Sequence, residues 1–312
     1  MKRVEASRWT WRLAWLTFLV AWLSVIPAVW IMHARNMPFE QMSSILAANA
    51  VVGALTAIAV SLVMGQYMLE RRPALAVRSS WLFGGCFFVL YLLIFFAIGY
   101  LWSMGASRLA IAMTVSSYGS NGARLTLSLL RWLPVALSFW LALRATLALV
   151  SLPGAPPVEY ATQARRMQAS LIVAFVFLAF WSVLAYAILV AQATLMGNAI
   201  AMFCMLTWGA LCGVLTWWGA WLGAKFQRGL LRSRLLLWVG IAAWLSQALL
   251  IGFAALAVWA WSMGSGFPAS IAWAIGGAIS GALLTLLLPF FVAWGGARLI
   301  WRKTAVPPML ST

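Results

Sequence analysis

The chain has 312 residues, 65% of them hydrophobic and only 8% charged, with a formal net charge of +17. Charged residues make up roughly a quarter of an ordinary soluble domain, so no water-facing surface can be assembled from this composition. The basic residues stand singly or in small groups between apolar runs. That spacing excludes a nucleic-acid-binding face and matches membrane-flanking charge, with an anionic leaflet as the electrostatic partner.

A bilayer core of about 30 Å needs roughly twenty mainly apolar residues per helix. Eight runs meet that length: 13–32, 44–68, 81–102, 128–148, 169–192, 198–223, 235–260 and 270–300. Helices are required because an open strand edge would leave peptide groups unpaired in hydrocarbon. The start, Met1-Lys2-Arg3 followed by an apolar run from Leu13, resembles a secretory signal. The run is closer to twenty residues than twelve and has a counterpart in the second half, so it is expected to stay as the first membrane helix.

The fold class expected is therefore all-α: a polytopic transmembrane bundle of about eight helices, built as two parallel four-helix repeats. Residues 1–150 form the first repeat and 151–168 a Pro/Gly-rich cytoplasmic linker. Residues 169–304 form the second repeat, and 305–312 the C-terminal tail. The linker opens with Ser151-Leu152-Pro153-Gly154-Ala155-Pro156-Pro157, the clearest breaker cluster in the chain. A second turn, Ser116 to Gly122, lies in the longest outer connection, 103–127.

The basic residues sort by loop. One set holds Lys2, Arg3, Arg8, Arg12, Arg71, Arg72, Arg78, Arg144, Arg165, Arg166, Lys225, Arg228, Arg232, Arg234, Arg298, Arg302 and Lys303, seventeen in all. The alternate set holds four: Arg35, Arg108, Arg124 and Arg131. Cytoplasmic loops carry the excess of Lys and Arg, so both termini are expected in the cytoplasm of a bacterial-type inner (plasma) membrane. Tryptophans fit the same frame. Trp30, Trp102, Trp132, Trp261 and Trp273 fall near outer helix ends, and Trp9, Trp11, Trp15, Trp81, Trp238 and Trp301 near inner ends. Indole prefers the headgroup boundary.

The repeat rests on matches in order. Trp102-Ser103-Met104-Gly105 recurs as Trp261-Ser262-Met263-Gly264, and Asn49-Ala50 as Asn198-Ala199. Arg78-Ser79 matches Arg232-Ser233, Leu133-Pro134 matches Leu288-Pro289, and Trp140 and Arg144 match Trp294 and Arg298. Four helices per copy is an even number, so both copies enter the membrane in the same sense.

The acids are Glu5, Glu40, Glu70 and Glu159, all in tails or loops, and His33 is the only histidine. Acid–base catalysis needs a titratable group held near its substrate, and proton-coupled carriers place one inside the helices. Neither arrangement can be built, so no enzyme and no direct proton coupling is expected. Cys86, Cys204 and Cys212 lie in apolar runs and are expected as small buried residues; the last two, eight apart, fall on one helix face without the further ligands a metal needs. Thr216-Trp217-Trp218-Gly219-Ala220-Trp221 superficially resembles the tryptophan-rich signature of haem-handling proteins of cytochrome c maturation, but the closing Asp and an axial His pair are missing. No cofactor is expected.

Polar residues within or near the helices remain. Asn49 and Asn198 are equivalent in the repeats, and Gln192 and Gln247 fall in the fifth and seventh helices. Interhelical hydrogen bonding accounts for such residues, and lining of a shared crevice is the functional alternative. Arg131 is the least ordinary, placed about 10 Å inside the outer boundary at 1.5 Å per residue. With no intramembrane carboxylate it needs carbonyls, water or an anionic headgroup. Small-xxx-small spacing at Gly276-Gly277 with Gly281, and at Gly295-Gly296, signals close helix approach. The function expected is non-enzymatic: binding or translocating a hydrophobic or amphipathic molecule at the repeat interface. The alternative is a scaffold or accessory subunit of a larger envelope complex, with a protein partner and no nucleic acid.

Overall fold

A computed structural model of the chain describes residues 2–3, 6–34, 39–70, 75–77, 79–115, 130, 132–153, 163–191, 199–227, 230–264 and 271–302. Their helices, in order, are α1 (Ala6–Leu23), α2 (Val25–Ala34), α3 (Phe39–Glu70), α4 (Ser80–Val115) and α5 (Trp132–Val150). Then come α6 (Gln163–Ala191), α7 (Ala199–Ala224), α8 (Ser233–Gly264) and α9 (Ile271–Ile300). Five short strands join them: β1 (Lys2–Arg3), β2 (Leu75–Val77), β3 (Ser151–Pro153), β4 (Leu230–Leu231) and β5 (Trp301–Arg302). Among the described residues eight segments are long and apolar enough to cross a bilayer, one for each expected run. The chain is an almost entirely helical, multi-pass membrane protein.

Helix boundaries depart from the expected runs where the local chemistry differs from mean hydropathy. The first run is broken at Ser24, whose Oγ donates to the Ala21 carbonyl at 2.6 Å, with Pro27 three residues on. The third run extends to Val115, 36 residues in place of the 22 expected. At 1.5 Å per residue this is roughly 54 Å, well beyond the hydrocarbon thickness. Nothing in Ala106-Ser107-Arg108-Leu109-Ala110 breaks a helix, and Ser103 and Ser107 spend their hydroxyls on the carbonyls of Tyr100 and Met104. The repeated Trp-Ser-Met-Gly phrase consequently lies within α4 and at the end of α8.

The chain forms two compact units: Met1–Val158 with Leu178–Gly209, and Glu159–Phe177 with Ala210–Thr312. The first is built on aromatics. Trp9 meets Phe83 edge-on at 4.7 Å, Phe87 stacks on Tyr91 at 5.6 Å, and Phe139 of α5 packs edge-on against Phe87 at 5.5 Å. Leu13, Leu143 and Leu147 close this core, and Trp9, expected at the interface, belongs to it. A polar seam joins α1 to α3. Thr10 Oγ1 donates to Gln66 Oε1 at 3.2 Å, and Thr17 Oγ1 and Ser61 Oγ lie 2.9 Å apart.

At one end of this unit β2 pairs antiparallel with both β1 and β3, Lys2 opposite Val77 and Leu75 opposite Pro153. Residues before α1, between α3 and α4, and after α5 are thereby held at the same end. That is the sidedness the charge sorting requires of this unit.

The second unit is built on close backbone approach. An added Cβ at Gly219 would overlap the Phe290 carbonyl oxygen, and one at Gly223 the Trp294 carbonyl oxygen and the Ala297 methyl. Glycine is needed at both because the obstacle is main chain, so α7 and α9 touch along a Gly-xxx-Gly edge. The basic end of this unit is also tied. β4 pairs with β5, Leu231 opposite Trp301, and the Arg232 amide donates to the Ile300 carbonyl at 2.8 Å. Arg166 Nη1 donates to the Lys225 carbonyl at 2.6 Å, bringing the start of α6 to the end of α7.

Candidate functional site

Proline has no N–H, so a proline inside a helix leaves the carbonyl four residues earlier without its helical donor. Pro134 falls in the first turn of α5, where the N–H would be unused anyway. Its sequence match, Pro289, falls well inside α9 and releases the carbonyl of Thr285. Gln247 of α8 supplies the missing donor: its Nε2 lies 3.1 Å from the Thr285 oxygen. The second Nε2 proton goes to Cys212 Sγ of α7 at 3.0 Å. Beside it Thr216 Oγ1 donates to the Cys212 carbonyl at 2.7 Å. Three helices of the second unit are thus cross-linked through one amide.

The depth of this cluster is consistent from each helix. Gln247 lies fourteen residues into α8 from Ser233, about 21 Å from the basic end at 1.5 Å per residue. Cys212 and Thr285 give similar depths of about 18 and 22 Å counted back from Ala224 and Ile300. Gln247, Cys212 and Thr216 are fully buried. Both amide protons point to fixed acceptors, which sets the amide orientation and leaves Oε1 enclosed with no donor. A buried polar atom without a partner costs about 1–3 kcal/mol, more than an average interhelical bond returns.

Of the five candidate polar contacts, Gln247 is the one whose side chain the structure describes. Arg131, Gln192 and Asn198 lie outside the described residues, as does the side chain of Asn49 in α3. His33 is exposed in the last turn of α2. The cysteines do not form one class: Cys212 is buried, Cys86 half-buried and Cys204 exposed. Eight residues at about 100° each turn the helix about 80° past two full circles, enough to separate Cys204 from the face of Cys212. Among the described residues no three His, Cys, Asp or Glu side chains come together.

Sequence reasoning missed two features. Gln66 is buried against Thr10, although it falls near the end of the second run and drew no attention. The other feature is a pattern of an aromatic followed four residues later by a cation: Tyr67/Arg71, Trp140/Arg144, Trp221/Lys225 and Trp294/Arg298. In the last three pairs the cation sits over its ring, at 5.1, 5.6 and 3.8 Å from the centroid. The i, i+4 spacing was available in the sequence as the signal. No protein-family model, curated protein or solved structure matches this chain.

Proposed function

We propose that this protein is a non-enzymatic membrane protein of a bacterial-type inner membrane that binds, and moves, an amphipathic molecule through contacts within its helical core. The observation that carries the reading is the unspent Gln247 Oε1 at mid-bilayer depth. An acceptor enclosed among helices is reached only when they part, and it then favours a molecule that brings a hydroxyl or N–H donor on an otherwise apolar body. The proposal includes a duplicated four-helix design with both termini cytoplasmic. Supporting the duplication, each half pairs the segment after its last helix with the segment before its third, in β2–β3 and β4–β5, and each carries Trp-xxx-Arg in the second half of that helix.

The test separates binding from folding. Pro289→Ala restores a helical donor to Thr285, so Gln247→Met in that background removes the acceptor without orphaning the carbonyl. Native mass spectrometry after gentle extraction is expected to find the co-purifying amphiphile on wild type and Pro289→Ala, and to lose most of it on Gln247→Met/Pro289→Ala. Equal retention on all three would overturn the reading.

The second reading, a scaffold or accessory subunit, is favoured by one observation. Gly277 and Gly281 of α9 stand one turn apart, and an added Cβ at either meets no atom within 4 Å. Such a face admits a partner helix at close range.

A further inference from the structure

The second unit is rich in basic residues and poor in acids. From Tyr160 to Thr312 there is no Asp or Glu, while Arg165, Arg166, Lys225, Arg228, Arg232, Arg234, Arg298, Arg302 and Lys303 all fall in this stretch. Four of these cations are brought to one end by contacts already described. Gly223 abuts Trp294 and Ala297, which sets the ends of α7 and α9 side by side, with Lys225 two residues beyond Gly223 and Arg298 one beyond Ala297. The Arg166 side chain reaches the Lys225 carbonyl, and the Arg232 amide reaches the Ile300 carbonyl. Lys225, Arg232 and Arg298 are exposed there.

Two of the four are also held at a defined height. The Arg298 guanidinium lies over the Trp294 ring at 3.8 Å, and Lys225 Nζ over Trp221 at 5.6 Å and Phe226 at 5.4 Å. A guanidinium stacked on indole keeps its N–H edge free to face outward in its own plane, the geometry that takes two oxygens of a phosphate. The rings anchor in the acyl boundary, so the charges are kept at headgroup level.

We infer that Arg166, Lys225, Arg232 and Arg298 form a binding site for the phosphodiester of an anionic phospholipid, with Trp294 and Trp221 positioning two of its cations. The chemistry is that of a phosphate monoanion. The source is the lipid, because the flanking indoles provide apolar surface for acyl chains. This inference stands on charge and packing at the basic end and is independent of the Gln247 reading.

Full-length protein in mixed micelles is titrated with phosphatidylglycerol or phosphatidylcholine, and bound lipid is counted by native mass spectrometry. Wild type is expected to retain phosphatidylglycerol over phosphatidylcholine, and excess inorganic phosphate not to displace it. Arg298→Gln is expected to weaken retention about fivefold, the effect of one cation at an anionic surface. Arg298→Lys keeps most of it, and Trp294→Leu, which leaves every charge in place, lowers it as well. Circular dichroism and elution volume verify that each variant is folded. Any of three outcomes overturns the inference: unchanged retention in folded Arg298→Gln, equal retention of the two lipids, or displacement by inorganic phosphate.

Discussion

Replacing Gly223 with Leu is expected to abolish most of the folded yield, and Gly219→Leu to do the same. At each site the new side chain would begin inside the carbonyl oxygen of α9, at Trp294 or Phe290. Main chain cannot rotate away as a side-chain tip can, so α7 and α9 must separate. Overpacking a close interface costs about 1–3 kcal/mol where side chains can yield, and more where they cannot. Separation would also forfeit the Gln247 cross-link between α7 and α9. Gly277→Leu, on the same helix α9 but with open space beside it, is expected to change stability by less than about 0.5 kcal/mol. Fluorescence-detected size exclusion and thermal unfolding in detergent would check the contrast. Equal tolerance at Gly223 and Gly277 would refute the close approach of α7 and α9.

The second large effect concerns the proline-released carbonyl. Gln247→Met is expected to lower stability by about 1 kcal/mol, because the Thr285 oxygen loses its donor inside hydrocarbon. Pro289→Ala alone is expected to be neutral or stabilising, since the new N–H reaches the same oxygen along the helix and a carbonyl accepts two bonds. The double variant is expected to recover most of the loss. The thermal midpoints of the four proteins form a double-mutant cycle whose coupling isolates the pair. Strict additivity would mean that Gln247 does not serve the carbonyl that Pro289 frees.

The crossings were legible in sequence because length and apolarity alone define them. Which face of each helix meets another helix was not. In water an amphipathic period reveals the buried stripe, but a helix that is apolar all round has no such phase. Trp9 and Trp15 are six residues apart in α1 with similar neighbours, yet one is in the core and the other 60% exposed. Gly223 and Gly277 likewise differ only in what stands opposite. Gln247 stood out as a polar residue in an apolar run, whereas its partners did not, because interhelical bonds join positions 35 and 38 residues apart. Pro289 was legible as the match of Pro134, but its consequence depends on how far upstream each helix begins. The short strands escaped notice because two or three residues carry no periodicity.

In the proposed topology the chain crosses the membrane eight times with both strand-paired, basic ends on one side. Single cysteines at Ser79, Gln227, Asn121 and Ser265, in a background lacking Cys86, Cys204 and Cys212, can be probed in cells with a membrane-impermeant maleimide. Labelling is expected at Asn121 and Ser265 in intact cells, and at Ser79 and Gln227 only after permeabilisation. Labelling of Ser79 and Gln227 from opposite sides would contradict it.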